Sequence, residues 1–204
     1  MNIGILIISG AMCLMLFPVA YIANRKFKQG QSAWHPILRW CGIVFSVALF
    51  AFLDAWLYRG AGISFTTELL RGSSMPLVVF IAGCVIGMAW EYIGQFALDW
   101  WHYPSVRRHP WLLALLPIFW GIFMLIMQDG YALARLGGLG PITAALIATA
   151  ILGLLIEAIN LFTDSWVYTG WGSFIPLLII GWIILLSFTF VLGFNAFFIN
   201  PFGL

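Results

Sequence analysis

Residues 87–103 read GMAWEYIGQFALDWWHY, and this stretch decides how the chain is organised. It places an acidic residue, Glu91, inside an apolar run that is long enough to cross a bilayer. Residues 153–168 read GLLIEAINLFTDSWVY, and there the acid is Glu157, 66 residues further along the chain. The two stretches share Gly-x-x-x-Glu-x-Ile-x-x-Phe without a gap, and Asp-x-Trp-x-Tyr after a one-residue deletion. The pattern indicates an internally duplicated membrane protein with one buried acid in each repeat.

The composition of the chain is that of a membrane protein. Its 204 residues are 63% hydrophobic and 8% charged, with a mean hydropathy of +1.05. Soluble domains carry about 25% charged residues, so most side chains here must face lipid or each other. The net charge of +2 gives no sign of a nucleic-acid partner. The three cysteines lie within apolar segments without CxxC spacing, which favours neither a disulfide framework nor a zinc site.

Six apolar segments predict the fold. Each approaches the roughly 20 residues that a helix needs to span the hydrocarbon core, where the backbone must satisfy its own hydrogen bonds. We therefore expect an all-α, polytopic membrane protein with six transmembrane helices in a single integral-membrane domain, 1–204. The expected segments are about 3–23, 37–58, 75–100, 111–128, 141–163 and 174–193. The first is expected to be retained, because it has neither a basic region before it nor a small-residue cleavage site after it.

Basic residues predict the orientation. One side of the membrane would hold the larger share of the cations, namely Arg25, Lys26, Lys28, Arg39, Arg107 and Arg108. The other side would hold Arg59, Arg71 and Arg135. Because cytoplasmic loops carry the excess of Lys and Arg, we expect both termini to lie outside. The expected location is a bacterial or archaeal cytoplasmic membrane.

The repeat predicts an internal symmetry. Segments three and four form one unit, about 75–134, and segments five and six form the other, about 141–198. Trp120 matches Trp182 after a short gap. Because each unit crosses the membrane twice, both copies run in the same direction. We therefore expect a parallel two-helix repeat about an axis along the membrane normal. A third Asp-x-Trp-x-Tyr, at 54–58, lacks the glutamate and is interpreted as a local interfacial feature.

Glu91 and Glu157 are the candidate catalytic residues. Counted from Trp101 and Trp166, each lies roughly 15 Å inside the interface at 1.5 Å per residue. A carboxylate at that depth is costly without a partner, and no lysine or arginine shares the depth. The parallel repeat would put both acids at one level, around a shared polar pocket. The alternative is structural, because a neutral glutamate can join two helices through a hydrogen bond.

Further residues are candidates for substrate binding. Gln95 and Asn160 follow their glutamates by four and three residues, so on a helix they share the face of the acid and could hydrogen-bond to it. Asp99 and Asp164 stand near the predicted interface among tryptophans and tyrosines, where the alternative interpretation is an aromatic belt. Trp90 directly precedes Glu91 and completes the set.

The sequence predicts no cofactor and no metal site. None of the three histidines lies in the middle of a predicted helix, as the axial ligands of a haem would. The chain also lacks a phosphate loop, a nucleotide fingerprint and an intramembrane lysine.

Three functions are consistent with this arrangement. The first is an enzyme acting on a lipid or isoprenoid, in which buried acids protonate an alkene or epoxide and aromatic faces stabilise a carbocation. In layout the chain resembles the small integral-membrane terpene and carotenoid cyclases, which also use buried acids in short multi-helix bundles. The Pro-x-Glu-Glu type motif of the carotenoid cyclases is absent, so no residue role is carried over. The second function is a non-catalytic subunit of a larger membrane complex, and the third is a small proton-coupled transporter.

Overall fold

The computed structural model confirms the all-α membrane architecture. It describes residues 3–104, 110–163, 165–197 and 200–203. Within these ranges six helices are long and apolar enough to cross a membrane. They span Ile3–Lys28, Pro36–Ala61, Met75–Ala97, Trp111–Leu136, Pro141–Thr163 and Gly172–Phe197. The chain is therefore an integral-membrane protein that crosses the bilayer several times, and its fourth span extends well beyond the predicted end at about 128.

The described part of the chain forms eight α-helices and two short strands. They are α1 (Ile3–Lys28), α2 (His35–Ala61), α3 (Phe65–Leu70), α4 (Met75–Glu91), β1 (Trp101–His102), α5 (Leu116–Leu136), α6 (Pro141–Thr163), β2 (Val167–Tyr168), α7 (Ile175–Leu186) and α8 (Gly193–Phe197). Wider π-helical turns follow α4 over Tyr92–Ala97 and join α7 to α8 over Ser187–Leu192. Tighter 3₁₀ turns lead into α2, α5 and α7, over Ser32–Trp34, Pro110–Leu115 and Gly172–Phe174.

Proline marks the start of most spans. A proline occupies one of the first two helical positions in α2, α4, α5, α6 and α7, as Pro36, Pro76, Pro117, Pro141 and Pro176. Proline suits this place because its missing N–H would have no acceptor in the first turn and its fixed φ is already helical. At the other end of α2, Gly62 adopts a φ of 73°, a conformation that glycine takes without strain. The helix ends are thus encoded locally.

α5 lies at the centre of the bundle, in contact with α2, α4 and α6. Two glycines of α4 let α5 approach closely: a Cβ on Gly83 would overlap Met124, and a Cβ on Gly87 would overlap the ring of Trp120. Small residues permit such close helix contacts in membranes. This packing places the indole of Trp120 against α4 at Gly87, one turn before Glu91.

The two strands join the ends of the third and fifth spans. They pair antiparallel, with Trp101 opposite Tyr168 and His102 opposite Val167. The alignment with the one-residue deletion pairs His102 with Val167, and the same two residues lie opposite each other in the ladder. An antiparallel ladder with this register has a local twofold axis, as a contact between two copies of one surface requires. The superposition of the complete units, 75–134 and 141–198, stays a prediction.

Candidate active site

Glu91 ends α4 with its side chain fully buried. Its Oε2 accepts a hydrogen bond from Trp101 Nε1 at 3.1 Å. Its Oε1 accepts from Tyr103 OH at 2.6 Å and from Trp120 Nε1 at 2.8 Å. An indole N–H can only donate, so the carboxyl group must be the acceptor of both tryptophans. Three converging donors therefore satisfy a carboxyl group in a place where water could not.

The segment after α4 folds back over this glutamate. The π-helical turn 92–97 widens the helix, and Asp99 then adopts a left-handed conformation with a φ of 49°. The ring of Trp101 comes to lie directly against Gly94, where a Cβ would overlap it. The prediction that Glu91 lies roughly 15 Å inward of Trp101 is therefore wrong. It assumed a straight helix up to the interface, whereas the chain reverses and returns Trp101 to the acid.

Glu157, in α6, is half-buried and has a related but more open setting. Tyr168 OH donates a hydrogen bond to its Oε1. Trp166 Nε1 donates in turn to Tyr168 OH at 3.2 Å. In the alignment Trp166 and Tyr168 are the equivalents of Trp101 and Tyr103. Each acid is therefore held by residues of the Asp-x-Trp-x-Tyr that follows it.

The two amides do not hold the acids. Asn160 Nδ2 donates to the carbonyl oxygen of Trp166 at 3.1 Å, and its Oδ1 accepts from the Trp166 N–H at 3.0 Å. The side chain thus fixes the loop, and the prediction that it bonds to Glu157 is wrong. Gln95 lies within the π-helical turn, where the i to i+4 relation of an α-helix no longer holds. The side-chain donors to Glu91 are Trp101, Tyr103 and Trp120, so the predicted bond from Gln95 is wrong as well, and the Oε1 of Gln95 is buried without a hydrogen-bond partner among the described residues.

The remaining substrate-binding candidates are Trp90, Asp99 and Asp164. Trp90 packs edge-on against Trp182, with ring centroids 5.4 Å apart, and Trp182 packs against Trp101 at 5.1 Å. Asp99 is exposed, and its carbonyl oxygen accepts a hydrogen bond from the hydroxyl of Thr169. Asp164 lies outside the described residues. The structure brings Trp90 into an aromatic layer beside the acids and uses Asp99 for a turn, while substrate contact stays a prediction for all of them.

Both tyrosines are hydrogen-bond donors to the glutamates that they contact. Burial raises the pKa of Tyr103 well above its usual value, and the charge of Glu91 raises it further. Burial and the charge of Glu157 raise the pKa of Tyr168 in the same way. A raised pKa favours the protonated phenol. Both hydroxyl groups therefore stay donors across the physiological pH range.

Two cavities meet beside Glu157. The smaller, of about 90 Å³, has Glu157, Tyr103 and Tyr168 in its wall together with several tryptophans. The larger, of about 670 Å³, lies between α2, the start of α5 and the end of α6. That volume falls within the range of about 300–1,000 Å³ that is typical of ligand sites. Tyr103, Phe119, Ile156 and Trp166 line both cavities, whereas Glu91 lines neither of the two.

Sequence reasoning missed the donors of Glu91 and also a second pair of buried acids. Asp54 in α2 is 1% exposed and Asp129 in α5 is 0% exposed. Asp54 accepts a long hydrogen bond from the backbone N–H of Thr66 at 3.3 Å. Neither oxygen of Asp129 has a hydrogen-bond partner within the described ranges. Asp129 escaped notice because the fourth segment was predicted to end at about 128, which put this acid in a loop.

Neither metal ligands nor comparisons with known proteins indicate a function. Among the residues that the structure describes, no group of three or more His, Cys, Asp or Glu side chains could hold a metal ion. Comparison of the chain with known proteins finds no matching family model, no curated protein and no solved structure. A functional proposal therefore rests on the geometry of the site.

Proposed function

We propose that this chain is a small integral-membrane enzyme that acts on a lipid or isoprenoid substrate by acid/base chemistry. One observation carries the proposal: Glu157 lies in the wall of an aromatic cavity that adjoins a much larger apolar cavity. An apolar substrate that fills the larger cavity would present one end to the acid. Ligand sites commonly combine an apolar wall with a few placed polar groups in this way.

The reaction that suits this cavity begins with the transfer of a proton from Glu157 to the substrate and ends with the return of a proton from the substrate to Glu157. The carboxyl group of Glu157 gives its proton to an alkene carbon, and a carbocation forms on the substrate. The cation shifts or closes a ring, and a neighbouring carbon then loses a proton to the carboxylate. Glu157 is thereby regenerated and no external co-reactant is consumed. Aromatic faces around the cavity stabilise the cation while it exists.

The two glutamates have unequal roles in this proposal. Both oxygens of Glu91 already accept hydrogen bonds, and the side chain is 0% exposed. Glu91 is therefore a positioning residue, because it fixes the hydroxyl of Tyr103, which lines both cavities. Glu157 is half-buried and reaches the cavity wall, so it is the residue that exchanges a proton with the substrate.

Deuterium incorporation tests the proposal without knowledge of the product. The purified chain is reconstituted in lipid nanodiscs, supplied with neutral isoprenoids and membrane lipid extracts, and incubated in D₂O. We expect one neutral lipid species to gain one mass unit in a time-dependent way, because an enzyme that protonates carbon delivers solvent deuterium. Glu157→Gln should abolish the gain, since an amide cannot deliver a proton.

A matched control separates this chemistry from a general charge effect. Glu68→Gln removes an acid from the surface, where Glu68 pairs with Arg71 at 3.0 Å, and should leave incorporation unchanged. The proposal fails if no lipid gains mass, or if Glu157→Gln incorporates deuterium as fast as the natural sequence. A chain that is stable only when it co-purifies with other membrane proteins would instead support a role as a subunit.

A further inference from the structure

The smaller cavity has walls suited to positive charge. Six tryptophan and tyrosine side chains contribute to it, namely Trp101, Tyr103, Trp120, Trp166, Tyr168 and Trp182. The face of an aromatic ring carries negative potential and attracts cations, most strongly for tryptophan. Glu157 adds an acidic group to the same wall. Lysine, arginine and histidine are missing from the lining as far as the described residues extend.

Most polar hydrogens of these rings are already engaged with groups of the protein. The donors of Trp101, Tyr103 and Trp120 all point to Glu91. Trp166 donates to the hydroxyl of Tyr168, which itself donates to Glu157. Five of the six ring donors are therefore in use, and Trp182 carries the sixth. An anion or a polyol would need free donors to replace its water, whereas a cation without N–H or O–H groups needs only the ring faces.

We propose that this cavity binds the fully alkylated head of an organic cation whose hydrocarbon chain lies in the larger cavity. The inference rests on the proposed function, because such a head is a stable counterpart of the carbocation that protonation of an isoprenoid would form. A cavity of about 90 Å³ equals the liquid volume of about three water molecules at about 30 Å³ each, which suits a head of a few heavy atoms. Tyr103 and Ile156 lie in the walls of both cavities, so the two cavities are neighbours, and the proposal places the head in one and the chain in the other.

Three compounds with the same decyl chain provide the test. The chain is purified in neutral maltoside micelles, since phosphatidylcholine would itself offer trimethylammonium heads. It is titrated with decyltrimethylammonium, with the neutral analogue in which carbon replaces the nitrogen, and with decyl sulfate. Binding is followed by tryptophan fluorescence against the mole fraction of amphiphile in the micelle. We expect the ammonium compound to bind about tenfold tighter than its neutral analogue, and decyl sulfate to bind more weakly than both.

Variants locate the binding. Glu157→Gln should weaken ammonium binding severalfold and leave the neutral analogue unchanged, because the amide keeps the shape but cannot become the carboxylate that pairs with a bound cation. Trp182→Leu should also reduce the preference for the cation. Trp56→Leu removes an exposed tryptophan of α2 that does not line the cavity, and the preference should persist.

The outcomes also distinguish this inference from the proposed function. Equal binding of the ammonium compound and its neutral analogue, or tighter binding of decyl sulfate, overturns the cation site. If the cation binds selectively but no lipid takes up deuterium, the cavity is a cation site and the enzymatic proposal fails. If deuterium is taken up without cation selectivity, the enzymatic proposal stands and the inference drawn from the cavity wall is wrong.

Discussion

Glu91→Leu should strongly destabilise the protein, because it removes the common acceptor of three buried donors. A buried donor that loses its partner costs about 1–3 kcal/mol. Tyr103 lines a cavity, where its hydroxyl has room to rotate, so the two indoles set the expectation: a loss of about 2–6 kcal/mol in the free energy of unfolding. Glu91→Gln keeps an oxygen for Tyr103 and Trp120 but turns an NH₂ group toward Trp101 Nε1. One mismatched donor then costs about 1–3 kcal/mol.

Thermal unfolding in detergent micelles measures both effects. For a chain of this size each kcal/mol shifts the Tm by about 2–4 °C. We therefore expect Glu91→Leu to lower the Tm by roughly 10 °C, and Glu91→Gln by a few degrees. Glu157→Leu is the matched control, since it removes the acceptor of Tyr168 beside a cavity while Trp166 keeps the hydroxyl of Tyr168 as an acceptor, and its loss should be clearly smaller. A Tm for Glu91→Leu equal to or above that of Glu157→Leu would refute the assignment of Glu91 as the structural acid. If Glu91→Leu does not fold, the order of Glu91→Gln below Glu157→Gln provides the same test.

Three other predictions concern packing, the loop and topology. Gly87→Ala should lower the Tm by several degrees because its methyl group would overlap an indole, whereas Gly153→Ala, at the equivalent position, would meet a side-chain carbon at 3.7 Å and should be nearly neutral. Asn160→Leu should cost about 1–3 kcal/mol through two lost hydrogen bonds, while Gln95→Leu should cost less than about 0.5 kcal/mol, as chemical denaturation would show. Single cysteines placed at position 28, the last residue of α1, and at position 107 of a cysteine-free chain should react with an impermeant reagent from the same, cytoplasmic side, and labelling from opposite sides would contradict the predicted orientation.

The spans could be predicted from the sequence because membrane insertion depends on a local property, the length of an apolar run. The starts of α2, α4, α5, α6 and α7 are likewise marked by proline in the first turn. The two acids could be selected because a carboxyl group in an apolar segment needs a partner wherever the segment goes.

The partners of the acids could not be predicted in the same way. They depend on a chain reversal after α4, which combines a π-helical turn with a left-handed Asp99, and neither feature has a periodic signal. Helical spacing therefore pointed to Gln95, while the actual donors came from the reversed segment and from Trp120 on another helix. Trp120 reaches Glu91 only because Gly87 leaves room, a contact between two helices that no single segment encodes.

The same packing difference explains why two related acids have different surroundings. The sequence alignment pairs Gly87 with Gly153, yet of these two glycines only Gly87 has an indole in the space beside it. Trp120 is thereby directed to Glu91 and closes its third hydrogen bond. Its counterpart Trp182 packs against neighbouring indoles instead, which leaves an open wall beside Glu157. The repeat that the sequence predicts can therefore keep one acid as a fixed part of the structure and expose the other to a ligand, through the position of a single tryptophan.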